Sequence, residues 1–325
     1  MKKILFITAT RIGDAVLSMG LLNHMVSTYP DARITVACGP LVTGFFEPVP
    51  QVERVITLKK EKRAGHWRKL WRQVAFTRWD MVVDLRNSLV SRLIFAKHKF
   101  IFGPHIDGQR HKVEQNASVM KLAYTPDPRL WFSPSIMAEA RMLIPDGGPV
   151  IGVGPAANWF AKTWPADRFI ALLKILTGEG GILPGARIAV IAAPGEEAQA
   201  RPVLESIPEH QRIDLIAKGS PHLAAACIAR CDFFVGNDSG LTHSAAAAGI
   251  PTLGLFGPSW PHIYRPWGKH AGFIATPQNF AQLIDYPGYN SKTAPCLMDG
   301  LSIDTVAAAA FDVWANSQKG RTKVA

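Results

Sequence analysis

The segment Val235-Gly-Asn-Asp-Ser-Gly-Leu-Thr-His243, continuing into Ser-Ala-Ala-Ala-Ala-Gly-Ile-Pro251, concentrates residue types that grip an anion. An apolar run ends at Gly236. Asp238 or Ser239 stands where a helix needs its N-cap. Gly240 removes a side chain where a ligand would approach the backbone. The first-turn N–H groups of such a helix have no partner within it. With the helix dipole they attract a negative charge by about 0.3–1 kcal/mol, or up to ~2 kcal/mol when partly buried. His243, one turn further on, is spaced to donate to a phosphate oxygen. The helix then stops at Gly249, with Pro251 beyond it. The same residues also suit capping and tight packing alone, because Ser244–Ala248 is small enough to lie close on a sheet. A Ser-His-Asp hydrolase triad is a poor reading. G-x-S-x-G is absent, and one short turn cannot aim Asp238, Ser239 and His243 at a single substrate.

Three other places carry usable chemistry. Asp14 follows the first apolar run in Arg11-Ile-Gly-Asp14, where Gly13 permits a tight turn and a helix begins. A carboxylate there is either a helix-start residue or a general base, and Arg11 beside it either holds a phosphate or faces solvent. Lys162 precedes Thr-Trp-Pro165, just before a helix; a lysine is mildly disfavoured there by the dipole, which hints at an anionic partner. Lys218 lies in the loop after the strand at 213–216 and is a candidate to line a nucleotide pocket. Neither an Asp-x-Asp pair nor H-E-x-x-H occurs, so no carboxylate- or histidine-held metal is expected. Cys38, Cys227, Cys231 and Cys296 make no CxxC pair and are expected as buried free thiols.

Charge narrows the partners. Of the formal +11, all falls in residues 1–130, with 21 Lys+Arg against 10 Asp+Glu. Residues 131–325 carry 15 of each. A one-sided basic field attracts nucleic acid, an acidic membrane surface or a phosphorylated substrate. Few aromatics interleave with the cations, so nucleic acid is disfavoured. The first apolar run is too short for a signal peptide, with Arg11 and Asp14 close behind. The longest uncharged stretch, 239–264, is broken by glycines and prolines and is no membrane span. A cytoplasmic protein with at most peripheral membrane contact is expected.

These residues need a scaffold. Short apolar runs alternate with helical stretches, which predicts α/β layers on mostly parallel sheets. Strands are expected at 3–9, 33–38, 53–58 and 80–85. A turn at Arg11–Gly13 should lead to a helix over 15–28. Between the third and fourth strands lies the basic segment Lys59–Arg72, whose Trp67, Leu70 and Trp71 are spaced for one helix face. Prolines and glycines crowd 125–149, which reads as a linker between domains 1–148 and 149–325. A second alternation follows: strands 150–154, 187–193, 213–216, 232–236 and 251–256, helices 166–177, 197–206, 221–230 and 241–248, and a last helix over 302–317. In open α/β sheets, ligands bind beyond the carboxyl ends of strands, and all the candidates above lie there.

Five segments in the same order resemble glycosyltransferase family 9, which includes the lipopolysaccharide heptosyltransferases. They are Ile12-Gly-Asp14; Gly154-Pro-Ala-Ala-Asn-Trp-Phe-Ala-Lys-Thr-Trp-Pro165; Asp214-Leu-Ile-Ala-Lys-Gly219; Gly236–His243 with Leu255-Phe-Gly-Pro-Ser259; and Pro295-Cys-Leu-Met298 with Ile303-Asp-Thr-Val306. The resemblance implies a GT-B fold, two Rossmann-like domains facing each other across a cleft. It implies an inverting, metal-independent transferase with no cofactor beyond its nucleotide-sugar co-substrate, ADP-heptose first. Asp14 would be the general base. Lys162, Lys218, Asp238, Ser239, Gly240, Thr242 and His243 would bind the donor. Arg11, Gly13, Arg63 and Arg68 would meet an anionic lipid A–core acceptor at the cytoplasmic face of the inner membrane. Ala157 and Asn158 stand where the family tends to carry hydroxyl residues, and Gly154-Pro155-Ala156 replaces its Pro-Gly-Ala order. Both departures bear on the donor sugar. The alternatives are another nucleotide sugar for surface polysaccharide, or a non-catalytic nucleotide- or glycolipid-binding protein. A dinucleotide-dependent oxidoreductase is disfavoured, since no G-x-G-x-x-G follows the first strand.

Overall fold

The structure is a computed structural model that describes residues 1–319. The chain divides into two compact units, Met1–Ser133 and Pro134–Ala325. The division falls inside the Pro/Gly-rich stretch but earlier than 148/149. The reason is a helix, Pro134–Leu143, that packs on the second unit. Arg230 holds the end of that segment, donating from Nε to the Ile144 carbonyl at 2.8 Å and pairing with Asp146.

The first unit runs β1 (Lys3–Ile7), α1 (Ile12–Thr28), β2 (Arg33–Cys38), α2 (Thr43–Phe46), β3 (Val52–Thr57), α3 (Gly65–Val74), β4 (Trp79–Asp84), α4 (Leu89–Leu93), β5 (Ala96–Ile101) and α5 (Lys112–Val119). Its sheet has the order β3-β2-β1-β4-β5, with every pair parallel. Ile4, Leu5, Phe6 and Ile7 of the central β1 are all fully buried. A parallel strand covered on both faces needs such a continuous apolar run rather than an alternating one. Helix α1 starts at Ile12, not near 15. Arg11 is extended (φ −92°, ψ 145°) and leads directly into the helix, so Gly13 sits inside the first turn and makes no separate turn. On α3, Leu70 and Val74 are buried and Trp67 packs beside them, whereas Trp71 is exposed, so Val74 takes the place expected for Trp71 on the apolar face.

The second unit runs α6 (Pro134–Leu143), β6 (Val150–Gly154), α7 (Ala166–Thr177), β7 (Arg187–Ala192), α8 (Glu197–Glu205), β8 (Arg212–Ile216), α9 (Pro221–Ile228), β9 (Phe233–Asn237), α10 (Gly240–Ala247), β10 (Thr252–Phe256), α11 (Pro261–Tyr264), β11 (Ala271–Ala275), α12 (Phe280–Ile284) and α13 (Ile303–Lys319). Its parallel sheet has the order β11-β10-β9-β6-β7-β8. In both units the first strand has its successor on one side and a later strand on the other. Crossovers therefore leave in opposite directions from β1 and β4, and from β6 and β9. Each such point opens a crevice at the carboxyl edge that no helix fills. Residues of the uncharged stretch 239–264 form α10 and β10 inside this unit, and among the described residues no helix is long and apolar enough to cross a membrane.

Candidate functional site

The switch point of the second unit lies between β6 and β9, which leave the sheet side by side with Gly154 opposite Gly236. The loop after β6 carries Lys162 in a short 3-10 turn, Phe160–Lys162. The loop after β9 carries Asp238 and then α10, with Ser239 at its N-cap. Lys162 Nζ donates to Asp238 Oδ2 at 3.2 Å, and both side chains are largely buried. His243 Nε2 lies 3.8 Å from the other carboxylate oxygen. Ser239 occupies the cap position expected for it, but its hydroxyl makes no cap bond and its buried Oγ has no hydrogen-bond partner. Ser259 Oγ, in the loop after the adjacent β10, is in the same condition. An unpaired buried hydroxyl costs about 1–3 kcal/mol. Two of them on neighbouring strand ends, beside a helix start, are donors and acceptors available to a polar ligand.

The surroundings hold that cluster rigid. Asn237, fully buried, donates from Nδ2 to the Pro155 carbonyl at 2.8 Å and accepts the Trp164 N–H at 3.0 Å. Trp164 is itself fully buried and donates from Nε1 to the Leu301 carbonyl. Leu297 N–H donates to the Ala161 carbonyl at 2.8 Å, and Met298 and Leu301 enter the core. The Lys-Thr-Trp-Pro and Cys-Leu-Met segments thus form one brace behind Lys162. Gln199 ties the other side: its Oε1 accepts from Ala157 N and Thr163 Oγ1, and its Nε2 donates to the Ala157 carbonyl. Thr242 Oγ1 donates to the Asn237 carbonyl at 2.6 Å, which closes the strand–helix corner. Glu196, after β7, is close enough to feel Lys162. Burial lifts its carboxyl above the usual range, partly offset by the Ala193 N–H and by Lys162.

In the first unit, the switch point lies between β1 and β4. Asp14 is in the first turn of α1, half-buried, beside the exposed Arg11. Ser18 Oγ donates to the Ala15 carbonyl and bonds Thr8 Oγ1 at 2.8 Å, so this first turn is pinned to the end of β1. A Cβ at Gly39, after β2, would come within 2.6 Å of the Thr10 backbone, so only glycine lets that loop pack against the one carrying Arg11. Two cations gather here. Arg86, after β4, donates to Thr10 Oγ1 at 3.4 Å. Lys112, at the start of α5, attracts Asp14 electrostatically, while burial lowers its pKa. Its ammonium sits over the Phe102 ring at 4.5 Å. Asn116 locks α5 to α1 by donating to the Leu17 carbonyl.

The structure therefore brings Lys162, Asp238, Ser239, Gly240, Thr242 and His243 together, and places Arg11, Gly13 and Asp14 at the other switch point. Lys218 is not among the first group. It follows β8, the far edge strand, and pairs with Asp214 of that strand at 3.7 Å. Arg63 lies just ahead of α3 with left-handed backbone (φ 51°), and Arg68 is in the first turn of that helix. Asn237, Gln199, Glu196, Arg86 and Lys112 escape the sequence reading. Each acts across the sheet from its motif, and no local spacing marks it. Of the thiols, Cys38, Cys227 and Cys231 are buried as expected, while Cys296 is half-buried with its Sγ 3.2 Å from the Thr163 carbonyl.

Two Rossmann-like units, each with polar groups gathered at its switch point, are the architecture of a GT-B glycosyltransferase. The chain belongs to glycosyltransferase family 9 (heptosyltransferase), whose model matches residues 105–285, more than half of it. That match contains the Lys162 and Asp238–His243 segments and begins after Asp14. The chain is similar to lipopolysaccharide heptosyltransferase 2 of Salmonella typhimurium, 27% identical over 320 residues, covering 84% of this chain and 87% of the relative. Among solved structures, a family 9 glycosyl transferase from Veillonella parvula superposes with a TM-score of 0.77 at 19% identity, covering 97% of both chains. E. coli ADP-heptose lps heptosyltransferase II superposes with 0.73 at 23% identity, covering 97% of this chain and 99% of that one. These two likenesses establish the fold.

Proposed function

We propose that the protein is an inverting heptosyltransferase that moves heptose from ADP-heptose to an acidic lipopolysaccharide core or lipid A acceptor. The observation that carries this is the Lys162–Asp238–His243 cluster at the start of α10, on the β6/β9 switch point. In this reading the second unit holds the donor. The diphosphate takes the N–H groups of Gly240 and its neighbours, with Ser239, Thr242 and His243 alongside. Lys162 turns from Asp238 to a phosphate oxygen, and the growing charge on the leaving diphosphate is met by Lys162, His243 and the helix start. Lys218 reaches the nucleotide from the outer edge. No resident metal is needed for this step, and transfer should persist undiminished in a chelator. The names of the relatives support the sugar and the acceptor class.

The first unit takes the acceptor. Asp14 removes the proton from the attacking hydroxyl as the new bond forms at the anomeric carbon and the diphosphate leaves, and one displacement inverts that carbon. Arg11, at the N-cap of α1, and Gly13 beside Asp14 border the acceptor hydroxyl, while Arg63 and Arg68 meet acceptor phosphates. The acceptor is a lipid of the inner membrane, so the protein works in the cytoplasm against that membrane's inner face.

The test is a panel of nucleotide sugars read by protection from thermal unfolding, followed by transfer assays. ADP-heptose should protect most. Asp14→Ala should lose about 10²–10⁴-fold in kcat and keep that protection. A better response to a different nucleotide sugar would reassign the donor. Full activity of Asp14→Ala would move the base elsewhere. Protection by a nucleotide without transfer to any acidic lipid acceptor would leave only a binding protein.

A further inference from the structure

Helices α3 and α4 cover the same face of the first sheet and pack on one another. Their inner sides share one core, built on Leu70, Val74, Val90 and Ile94. Large apolar residues stand exposed on these helices and in the turns that end them: Phe76, just after α3, is 92% exposed, Leu89 and Leu93 of α4 65% and 62%, and Phe95, just after α4, 61%, with Trp71 of α3 also exposed. Single exposed apolar residues are ordinary, but several large ones on two helices that touch are not. Trp79 binds the ends of the two helices together. Its indole donates to the Val74 carbonyl and its backbone N–H to the Phe95 carbonyl. Phe76 and Phe95 therefore project from neighbouring turns at the amino edge of the sheet.

The same face is basic without relief. No Asp or Glu occurs between Glu61 and Asp80, or between Asp84 and Asp107. Glu61 pairs with Lys69, and Asp80 with Lys97. Among the described residues, Arg72, Arg78, Arg92 and Lys99 form no ion pair, and all are exposed. Lys99 Nζ lies against the end of α4, donating to the Arg92 carbonyl at 3.1 Å. Aromatic and aliphatic tips set among unpaired Arg and Lys match the layered chemistry of a bilayer surface, with anionic headgroups outside and acyl chains just beneath. A protein partner fits less well, because charged residues are depleted at the core of protein interfaces. A nucleic acid has no use for Leu89 and Leu93.

We infer that the outer face of α3 and α4 docks on an anionic phospholipid bilayer, with Phe76, Leu93 and Phe95 entering the interface and Arg72, Arg78, Arg92 and Lys99 meeting headgroups. This deepens the proposed work at a membrane and specifies the surface that makes contact. Of the two proposed acceptor arginines, Arg63 stands ahead of α3 and Arg68 in its first turn, at the opposite end of the helix from Phe76, and neither is altered in the test. Docking needs neither donor nor acceptor, so its test and the transfer test fail independently.

The experiment is co-sedimentation of the full chain with phosphatidylcholine vesicles and with vesicles containing phosphatidylglycerol. Binding should require the anionic lipid and weaken as salt is raised. Arg72→Gln/Arg78→Gln/Arg92→Gln should lower partitioning on the order of 100-fold. Phe76→Ser/Phe95→Ser should lower it at least about tenfold on the anionic vesicles. All five residues are exposed, so unchanged circular dichroism confirms that each variant is folded. The control Lys174→Gln/Arg201→Gln/Lys269→Gln, an equal charge change on the second unit, should bind as the parent does. Equal binding by all variants, or none by the parent, overturns the inference. So does a loss of self-association in the Phe76/Phe95 variant without a loss of vesicle binding, which would make the face a contact between copies.

Discussion

Lys162 and Asp238 bury opposite charges against each other, and that pairing has two separable consequences. Removing one partner of a largely buried pair costs about 3–5 kcal/mol, because the other charge is left uncompensated. Losing a charge-assisted hydrogen bond to a ligand costs about 1.5–3 kcal/mol. Lys162→Met should therefore unfold at lower temperature and bind ADP-heptose roughly 10- to 150-fold more weakly. Lys162→Met/Asp238→Asn, with no charge left to strand, should regain most of the stability and none of the affinity. Recovery of both by the double variant would show that Lys162 serves only the fold. Glu196 gives a pH signature. Its carboxyl titrates higher when folded than when unfolded. Both forms are protonated below the ordinary carboxylate range, and stability is lost as pH rises through the raised value. Glu196→Gln mimics the protonated side chain. It should melt about 1–3 °C above the parent at pH 7.5 and together with it at pH 4, read by calorimetry at each pH. A gap that persists unchanged at pH 4 would mean the gain is not electrostatic.

Elements were legible in proportion to how far their own residues decide them. Strand β6 and helix α7 fall where continuous apolar runs and a proline-led start put them. Ser220 and Pro221 begin α9 in the same way, the Ser220 hydroxyl accepting from the Leu223 N–H. Strand β5 is not visible in Ala-Lys-His-Lys-Phe-Ile, because an edge strand buries one flank and keeps polar side chains on the other. Strand β11 hides for a different reason. Gly272 weakens its pattern, yet glycine is required there, since a Cβ would lie 2.5 Å from Val313 of α13. Helix α6 was concealed by the prolines around it, one of which opens it. The candidate site divides likewise. Asp238, His243 and Lys162 announce themselves in motifs, whereas Asn237 and Gln199 matter only because distant strands lie side by side. Lys218 shows the reverse case: its loop is plain in the sequence, but its place on the far edge strand, beside Asp214, comes from the order of strands in the sheet.

Each unit of the molecule has its own buried core and its own sheet. A nucleotide held by the second unit should then stabilise that unit first. At 100 times its Kd, ADP should add about 2.7 kcal/mol, or roughly 5–10 °C in one melting transition. A calorimetric trace should show that transition moving away from another that stays in place. A single transition shifting as a whole would show that the two units unfold together. The brace around Asn237 has a reach beyond binding. One amide answers to the strand end it sits on, the loop at Pro155 and the turn at Trp164, so none of these three can be redrawn alone. Any lineage or laboratory seeking a different sugar must leave that knot intact and work at the rim. The outer-edge loop around Lys218 and the turns after β10 are the parts free to diverge.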